Sequence, residues 1–304
     1  MDRPRRRPGA QGVTGAPRLD VFQALWAMEQ RRPGAPEPAV ADSFDRVAAA
    51  GFDGMAIDLG ALSVEQARAT IPHFRRTGLR GLVTAFPRSI EDLRPALALA
   101  HEVGAPFVIV VGQVTPVAVA DMVPVVRDWM ALAEREAMPI QFETHRNCIT
   151  NDLFATIQLL DAIPEMRLSA DLSHYVVDRE MPCPPPPELQ ALIGRVLDRA
   201  DSFQGRVAAR GQIQVALDFP QNARWVRLFQ GWWEQGLRGW LARNPEAERV
   251  VFLCELGPPD YAITDANGRE LSDRWQEALA LREQVSAIWA RLAAAPDGVQ
   301  TPPA

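Results

Sequence analysis

The chain of 304 residues contains no lysine, so all 32 of its basic residues are arginine. That absence excludes a Schiff-base aldolase, a pyridoxal-phosphate enzyme, a P-loop lysine and a lysine general base. Cysteine is scarce too. Cys148, Cys183 and Cys254 are too few and too scattered for a disulfide framework or a CxxC zinc site. No apolar run approaches the roughly 20 residues that cross a bilayer, and the opening segment lacks the apolar core of a signal peptide. Positive charge is outnumbered: 38 acidic side chains leave a net charge of −6 and a pI near 5.4. Such a chain has no basic field for a polyanion. These absences predict a soluble, cytoplasmic globular protein with no nucleic-acid and no membrane partner.

What is present is a rhythm. Residues 1–18, rich in Arg, Pro and Gly, are expected to be a disordered leader, and residues 295–304 a flexible tail. Between them lies one domain, 19–294, in which short apolar runs alternate with helix-period stretches. The runs predict strands over 20–28, 54–59, 81–85, 107–111, 139–144, 167–172, 203–208 and 249–255. Helices are predicted over 43–50, 63–77, 89–103, 117–137, 152–162, 187–200, 223–243 and 272–293, the second opened by Ser63 as a cap and by Glu65. This pattern is α/β, and its repeat predicts a single (β/α)8 TIM barrel. An open doubly wound sheet is the competitor, but the first βα turn carries no GxGxxG loop.

In a barrel of this kind the chemistry lies where strands end. The fifth predicted strand ends in Glu143, Thr144 and His145, and the sixth in Asp171, Leu172, Ser173 and His174. The seventh contains Gln204 and Arg206, and the eighth ends in Glu255. Alternation puts Glu143 and His145 on one face, and likewise Gln204 and Arg206. Acids gathered in one barrel mouth repel unless protonated or neutralised by a cation. Oxygen ligands with imidazole nearby suit Mn²⁺, Mg²⁺ or Co²⁺. Singly, Glu143 or Asp171 could as well cap a helix or pair with Arg146. His73 and His101 fall in predicted helices and read as surface residues, and Cys254 reads as core. Trp232 and Trp233 read as helix packing, whereas Trp26, at the end of the first strand, could floor a sugar pocket.

The runs QFETHRN (141–147), SADLSHY (169–175), FQGRVAARGQIQV (203–215) and CELGPPDY (254–261) resemble the xylose-isomerase-like TIM barrels, in particular those of sugar phosphate isomerase/epimerase type. The resemblance spans about residues 19–293. It implies one divalent metal ion (Mn, Mg or Co, with Zn also admissible) held by Glu143, Asp171, Gln204 and Glu255. It implies that His174 approaches substrate oxygens and that Arg206 holds an oxygen-rich substrate. One departure stands out: relatives carry His-Gly-Arg or His-Ala-Arg where this chain has Gln204-Gly205-Arg206. A glutamine oxygen can ligate a hard cation but lacks the affinity of imidazole for transition metals. The site is then weaker, shifted towards Mg²⁺ or Mn²⁺, completed by His145, or degraded.

The function implied is a metal-dependent isomerase or epimerase acting on a ketose, inosose or related polyol carbonyl. An enediolate would form, with Glu143 and Glu255 exchanging the proton as base and acid. Substrate contacts would come from His145, His174, Arg206 and Trp26. Two alternatives use the same residues: a dehydratase or lyase that eliminates from the same enolate, and a sugar-binding pseudoenzyme whose metal site Gln204 has weakened. The three-zinc AP endonucleases of the same superfamily need more histidine than the four residues here. With no lysine cluster to mark a phosphate site, the substrate is expected to be non-phosphorylated. The resemblance leaves a homodimer open.

Overall fold

Eight parallel strands close on themselves in chain order. They are β1 (Arg18–Ala24), β2 (Gly54–Asp58), β3 (Arg80–Ala85), β4 (Val108–Val110), β5 (Ile140–Glu143), β6 (Leu168–Ala170), β7 (Ala200–Gly205) and β8 (Arg249–Cys254). The helices between and after them are α1 (Val40–Ala49), α2 (Val64–Ala69), α3 (Ile71–Thr77), α4 (Arg94–Glu102), α5 (Val119–Arg135), α6 (Leu153–Ala162), α7 (Ser173–Asp178), α8 (Pro187–Leu197), α9 (Ala223–Arg243) and α10 (Arg274–Ala294). This computed structural model describes residues 17–294 apart from positions 33, 35, 115 and 117. The expected tail therefore lies outside the described residues, as does the expected leader up to residue 16, while Arg18 already belongs to β1. Among the described residues, no helix is long and apolar enough to cross a membrane.

Strand alternation sorts the side chains into two cores. Phe22, Ala56, Leu82, Ile109, Val251 and Leu253 pack together inside the barrel. Their neighbours in sequence, such as Met55, Val83, Val108 and Phe252, join the larger core between strands and helices. There the α9 ring of Trp233 meets Phe252 edge-on at 5.2 Å. The same alternation carries Gln141, Ser169, Ser202 and Gln204 inward on β5, β6 and β7. The interior is thus apolar on one side and polar on the other, and Ser202 donates to Gln141 across 2.6 Å. At the opposite end from the strand C-termini, the wholly buried Asp20 is paired with Arg80 and Arg249.

Several elements differ from the sequence expectation. The first strand covers 18–24 rather than 20–28, because the chain turns at Leu25 into a short 3-10 turn, Trp26–Met28. The helix expected over 63–77 is two, α2 and α3, parted at Thr70 where Pro72 in the next first turn lacks an N–H. Ser63 caps α2 and Glu65 lies in its first turn as expected, with Gln66 completing the capping box. The stretch 89–103 likewise becomes a 3-10 turn at Glu91–Leu93 and then α4, with Pro95 in its first turn. The seventh strand begins three residues earlier than expected, at Ala200. Its opening Asp201 lies by Arg167 and Arg243, and Ser202 belongs to the polar interior. Helix α7 was not anticipated at all.

Gly205 ends β7 between Gln204 and Arg206, and a Cβ there would stand 2.6 Å from the Phe252 ring. Replacing Gly205 with Ala is therefore expected to destabilise the barrel by about 1–3 kcal/mol through overpacking. A lowered urea midpoint would show it, and an unchanged midpoint would mean that Phe252 yields freely.

Candidate active site

The C-terminal strand ends deliver their polar side chains to one place. Glu143 is the last residue of β5, and its carbonyl accepts from the Thr150 hydroxyl, which fixes the following loop. Asp171 follows β6, with its carbonyl held by Thr144 Oγ1 at 2.8 Å and its Oδ1 accepting the Ser173 N–H at 2.9 Å. That second bond starts α7, which places His174 one turn beyond the aspartate. Gln204 and Arg206 alternate along and just past β7, and Glu255 follows β8 directly. Ligand atoms of Glu143, Asp171 and Glu255 all lie within 4.8 Å of one another.

Three carboxylates so close together, buried, need compensation, and Arg206 provides it. Its Nη1 donates to Asp171 Oδ2 at 3.0 Å and its Nε to the Glu255 carbonyl at 3.0 Å, while Nη2 lies 3.1 Å from Glu255 Oε1. Burial works against the guanidinium charge, but Glu255 and Asp171 outweigh it and hold Arg206 firmly protonated. Burial also pushes the acids up. Glu143 rises well above the usual carboxylate range, reinforced by Glu255 and Asp171 and opposed by Gln204 and Arg206. Glu255 rises to about 7, opposed chiefly by Arg206, and burial raises Asp171 too, against the stabilisation of its charge by Arg206 and Ser173.

The two site histidines are kept neutral for the same reason. Burial lowers His145 to about 4 and holds His174 well below the usual imidazole range, with His145 and Arg206 adding to the second. Their rings lie 4.1 Å apart, centre to centre. His145 Nδ1 bonds the Arg146 carbonyl, which leaves Nε2 as an acceptor. His174 Nε2 lies 3.4 Å from Arg206 Nη1 and 3.5 Å from Asp171 Oδ2.

Above this cluster opens a cavity of about 560 Å³. Glu143 and Glu255 form its floor together with Asp58 from the end of β2; Trp26 and Tyr261 line one wall, Phe86 and His145 another. The Trp26 and Tyr261 rings meet edge-on at 5.3 Å. The residues expected to form the site thus come to one end of the barrel, but in two layers. Trp26, Glu143, His145 and Glu255 line the cavity, whereas Asp171, His174, Gln204 and Arg206, each at most 2 % exposed, lie beneath it. Arg146 pairs with neither Glu143 nor Asp171 but stacks 5.0 Å from the Tyr261 ring centre. Sequence reasoning missed Asp58, whose pKa burial raises to about 6 against two backbone N–H donors, Gly60 and Ala61. Its signal was available, since Asp58 is a strand-end acid like the others. Tyr261 and Phe86 carried no such signal.

The donor set fits a hard divalent cation. Glu143 Oε1, Gln204 Oε1 and Glu255 Oε2 are buried acceptors without a hydrogen-bond partner. Orphaned buried oxygens of this kind are costly unless something positive meets them. Three carboxylates and an amide oxygen match the ligand preference of Mg²⁺ or Mn²⁺. Glu143, His145 and His174 form a second, overlapping group of ligand atoms.

No protein-family model matches this chain, and no curated protein matches its sequence. Solved structures do match. A xylose isomerase-like TIM barrel protein from Mycobacterium smegmatis, in complex with magnesium, aligns with a TM-score of 0.60 at 16% identity over 91% of this chain and 98% of its own. The D-allulose 3-epimerase from Methylomonas sp., in complex with D-allulose, aligns at 0.55 and 15% over 92% and 99%. The D-psicose 3-epimerase from Clostridium cellulolyticum H10, with D-tagatose, aligns at 0.54 and 14% over 89% and 99%. At such identities the likeness is one of fold, and it extends over nearly the whole described chain.

Replacing Arg206 with Met should leave Asp171 and Glu255 without their cation. Unfolding in denaturant, with no divalent metal added, is expected to show a loss of about 3–5 kcal/mol. A loss below about 1 kcal/mol, the range of a surface pair, would mean that the carboxyls do not rely on this guanidinium.

Proposed function

We infer that this barrel is an isomerase or epimerase that acts on a ketose, inosose or related polyol carbonyl through an enediolate. The observation that carries this reading is the pair of buried carboxyls on the cavity floor. Glu143 from β5 and Glu255 from β8 each keep one oxygen free of protein partners. Two such groups facing one cavity suit removal of a proton from a C–H beside a carbonyl and its return to the same or a neighbouring carbon. Nothing is oxidised or reduced in that exchange, so the reading needs no redox cofactor. Three of the residues that would hold a divalent cation are Glu143, Asp171 and Glu255, with the Gln204 amide oxygen as a neutral fourth. The chemistry a cation supplies when bound there is Lewis-acid polarisation of a carbonyl and its adjacent hydroxyl.

The chain's own residues divide the remaining work. Glu143, in its ionised form, takes the proton and Glu255 returns it. Neutral His145 offers Nε2 to a substrate hydroxyl from the cavity wall, and His174 supports the His145 ring from behind. Trp26 and Tyr261 give the C–H face of a sugar an apolar surface and keep water from the reacting carbon. Arg206 holds Asp171 and Glu255 in place rather than reaching into the cavity. The small-molecule partner is thus a sugar or polyol.

In D₂O, wild type supplied with Mn²⁺ should incorporate solvent deuterium into at least one member of a ketose and inosose panel. Glu143→Gln and Glu255→Gln should each lower that rate by about 10²–10⁴-fold with an unchanged circular-dichroism spectrum. Exchange that survives both substitutions would end the two-glutamate assignment.

A further inference from the structure

The cavity is acidic at its floor and basic at its rim. Besides Asp58, Glu143 and Glu255 it is lined by Arg31, Arg88 and Arg146. Arg31 is engaged by Glu29 at 2.8 Å and by the Pro259 carbonyl. Arg88 and Arg146 are different: both are exposed, and among the described residues neither forms an ion pair with a carboxylate. Each is nevertheless aimed by a contact to an uncharged neighbour. Arg88 Nε donates to Gln113 Oε1 at 3.4 Å, and the Arg146 guanidinium rests on the Tyr261 ring. They stand on the loops after β3 and β5, whose Phe86 and His145 rings meet edge-on at 6.4 Å. Two guanidinium groups with free donor edges thus share the mouth of a cavity whose floor carries the reactive carboxyls.

We propose that Arg88 and Arg146 bind an oxyanion, a carboxylate or a phosphate, on the end of the substrate away from the reacting carbonyl. This rests on the isomerase or epimerase reading for the carbonyl end; a carboxylate there agrees with the expectation of a non-phosphorylated substrate, and a phosphate departs from it. Guanidinium is the better group for the task, since its planar fork meets a carboxylate or phosphate with two parallel donors. The segregation also sets orientation. A substrate entering anion-first would meet Asp58 and Glu255, whereas entry carbonyl-first leaves its anion between the arginines.

The test is calorimetric binding to the full-length protein with Mn²⁺ present, using matched probes: D-ribulose against D-ribulose 5-phosphate, and D-fructose against D-fructose 6-phosphate and D-fructuronate. Charge-assisted hydrogen bonds should make at least one anionic probe bind about tenfold or more tightly than its neutral counterpart. Whether the phosphates or the keto acid gain the advantage decides between the two oxyanions. In the Arg88→Gln/Arg146→Gln double variant the advantage should vanish while the unfolding midpoint stays put. Equal affinity for neutral and anionic probes, a preference that survives the double substitution, or no binding of any anionic probe at millimolar concentration would each overturn the proposal. Solvent deuterium exchange on the same probes keeps the two readings apart. Anion preference without exchange removes the enediolate and keeps the anion site; exchange on neutral ketoses without anion preference does the reverse.

Discussion

A guanidinium buried between two carboxylates organises this end of the barrel. Arg206 is 1 % exposed and bonds Asp171 and Glu255, residues 35 and 49 positions away in the chain. Without it, three acids would crowd a dry site with only desolvation and mutual repulsion to decide their charge. With it, one carboxylate is neutralised inside the protein and the β6, β7 and β8 ends are tied together. What remains is a set of oxygens with unmet acceptor capacity, which is why the centre suits a cation rather than an apolar ligand. The close approach of Gly205 to Phe252 serves the same arrangement, because it allows β7 to carry Gln204 and Arg206 into register with β8.

The absence of lysine gains meaning in this light. Every fixed cation in the chain is a planar fork of donors, and the buried ones use that geometry. Arg206 spans two carboxylates. Arg274, at the start of α10, grips Glu270 with Nε and Nη2 at 2.7 and 2.9 Å and also donates to the carbonyls of Ala27, Leu256 and Glu29. It thereby joins the turn that carries Trp26 to the loop that carries Tyr261, the two rings of one cavity wall. A flexible ammonium group offers no equivalent fork for either position.

The barrel was legible because its signals are local and repeated. Helix α9 carries its apolar residues at helical spacing over six turns, and its bounds follow directly. The strand-end rule located Glu143, Asp171, Gln204, Arg206 and Glu255, since alternation alone brings them inward. Other features were hidden for physical reasons. Helix α7 is six residues long, too short to show a period. The start of β7 is polar because half of the interior is polar, so Ser202, which donates to Gln141, carries no apolar strand signal. The layering of the site, with Arg206 buried against Asp171 and Glu255, depends on contacts between distant segments that no local pattern encodes.

In the proposed reading the oxygens of Glu143, Asp171, Gln204 and Glu255 together hold a divalent cation, and the direct measurement is metal content. Protein purified without chelator and then equilibrated with Mn²⁺ should retain close to one metal per chain by mass spectrometry, and Asp171→Asn, which keeps the side-chain volume, should retain far less. A wild type that binds no Mn²⁺, Mg²⁺, Co²⁺ or Zn²⁺ after equilibration would contradict the account. It would mean that Arg206 already satisfies the acids and that the orphaned oxygens serve something other than a metal.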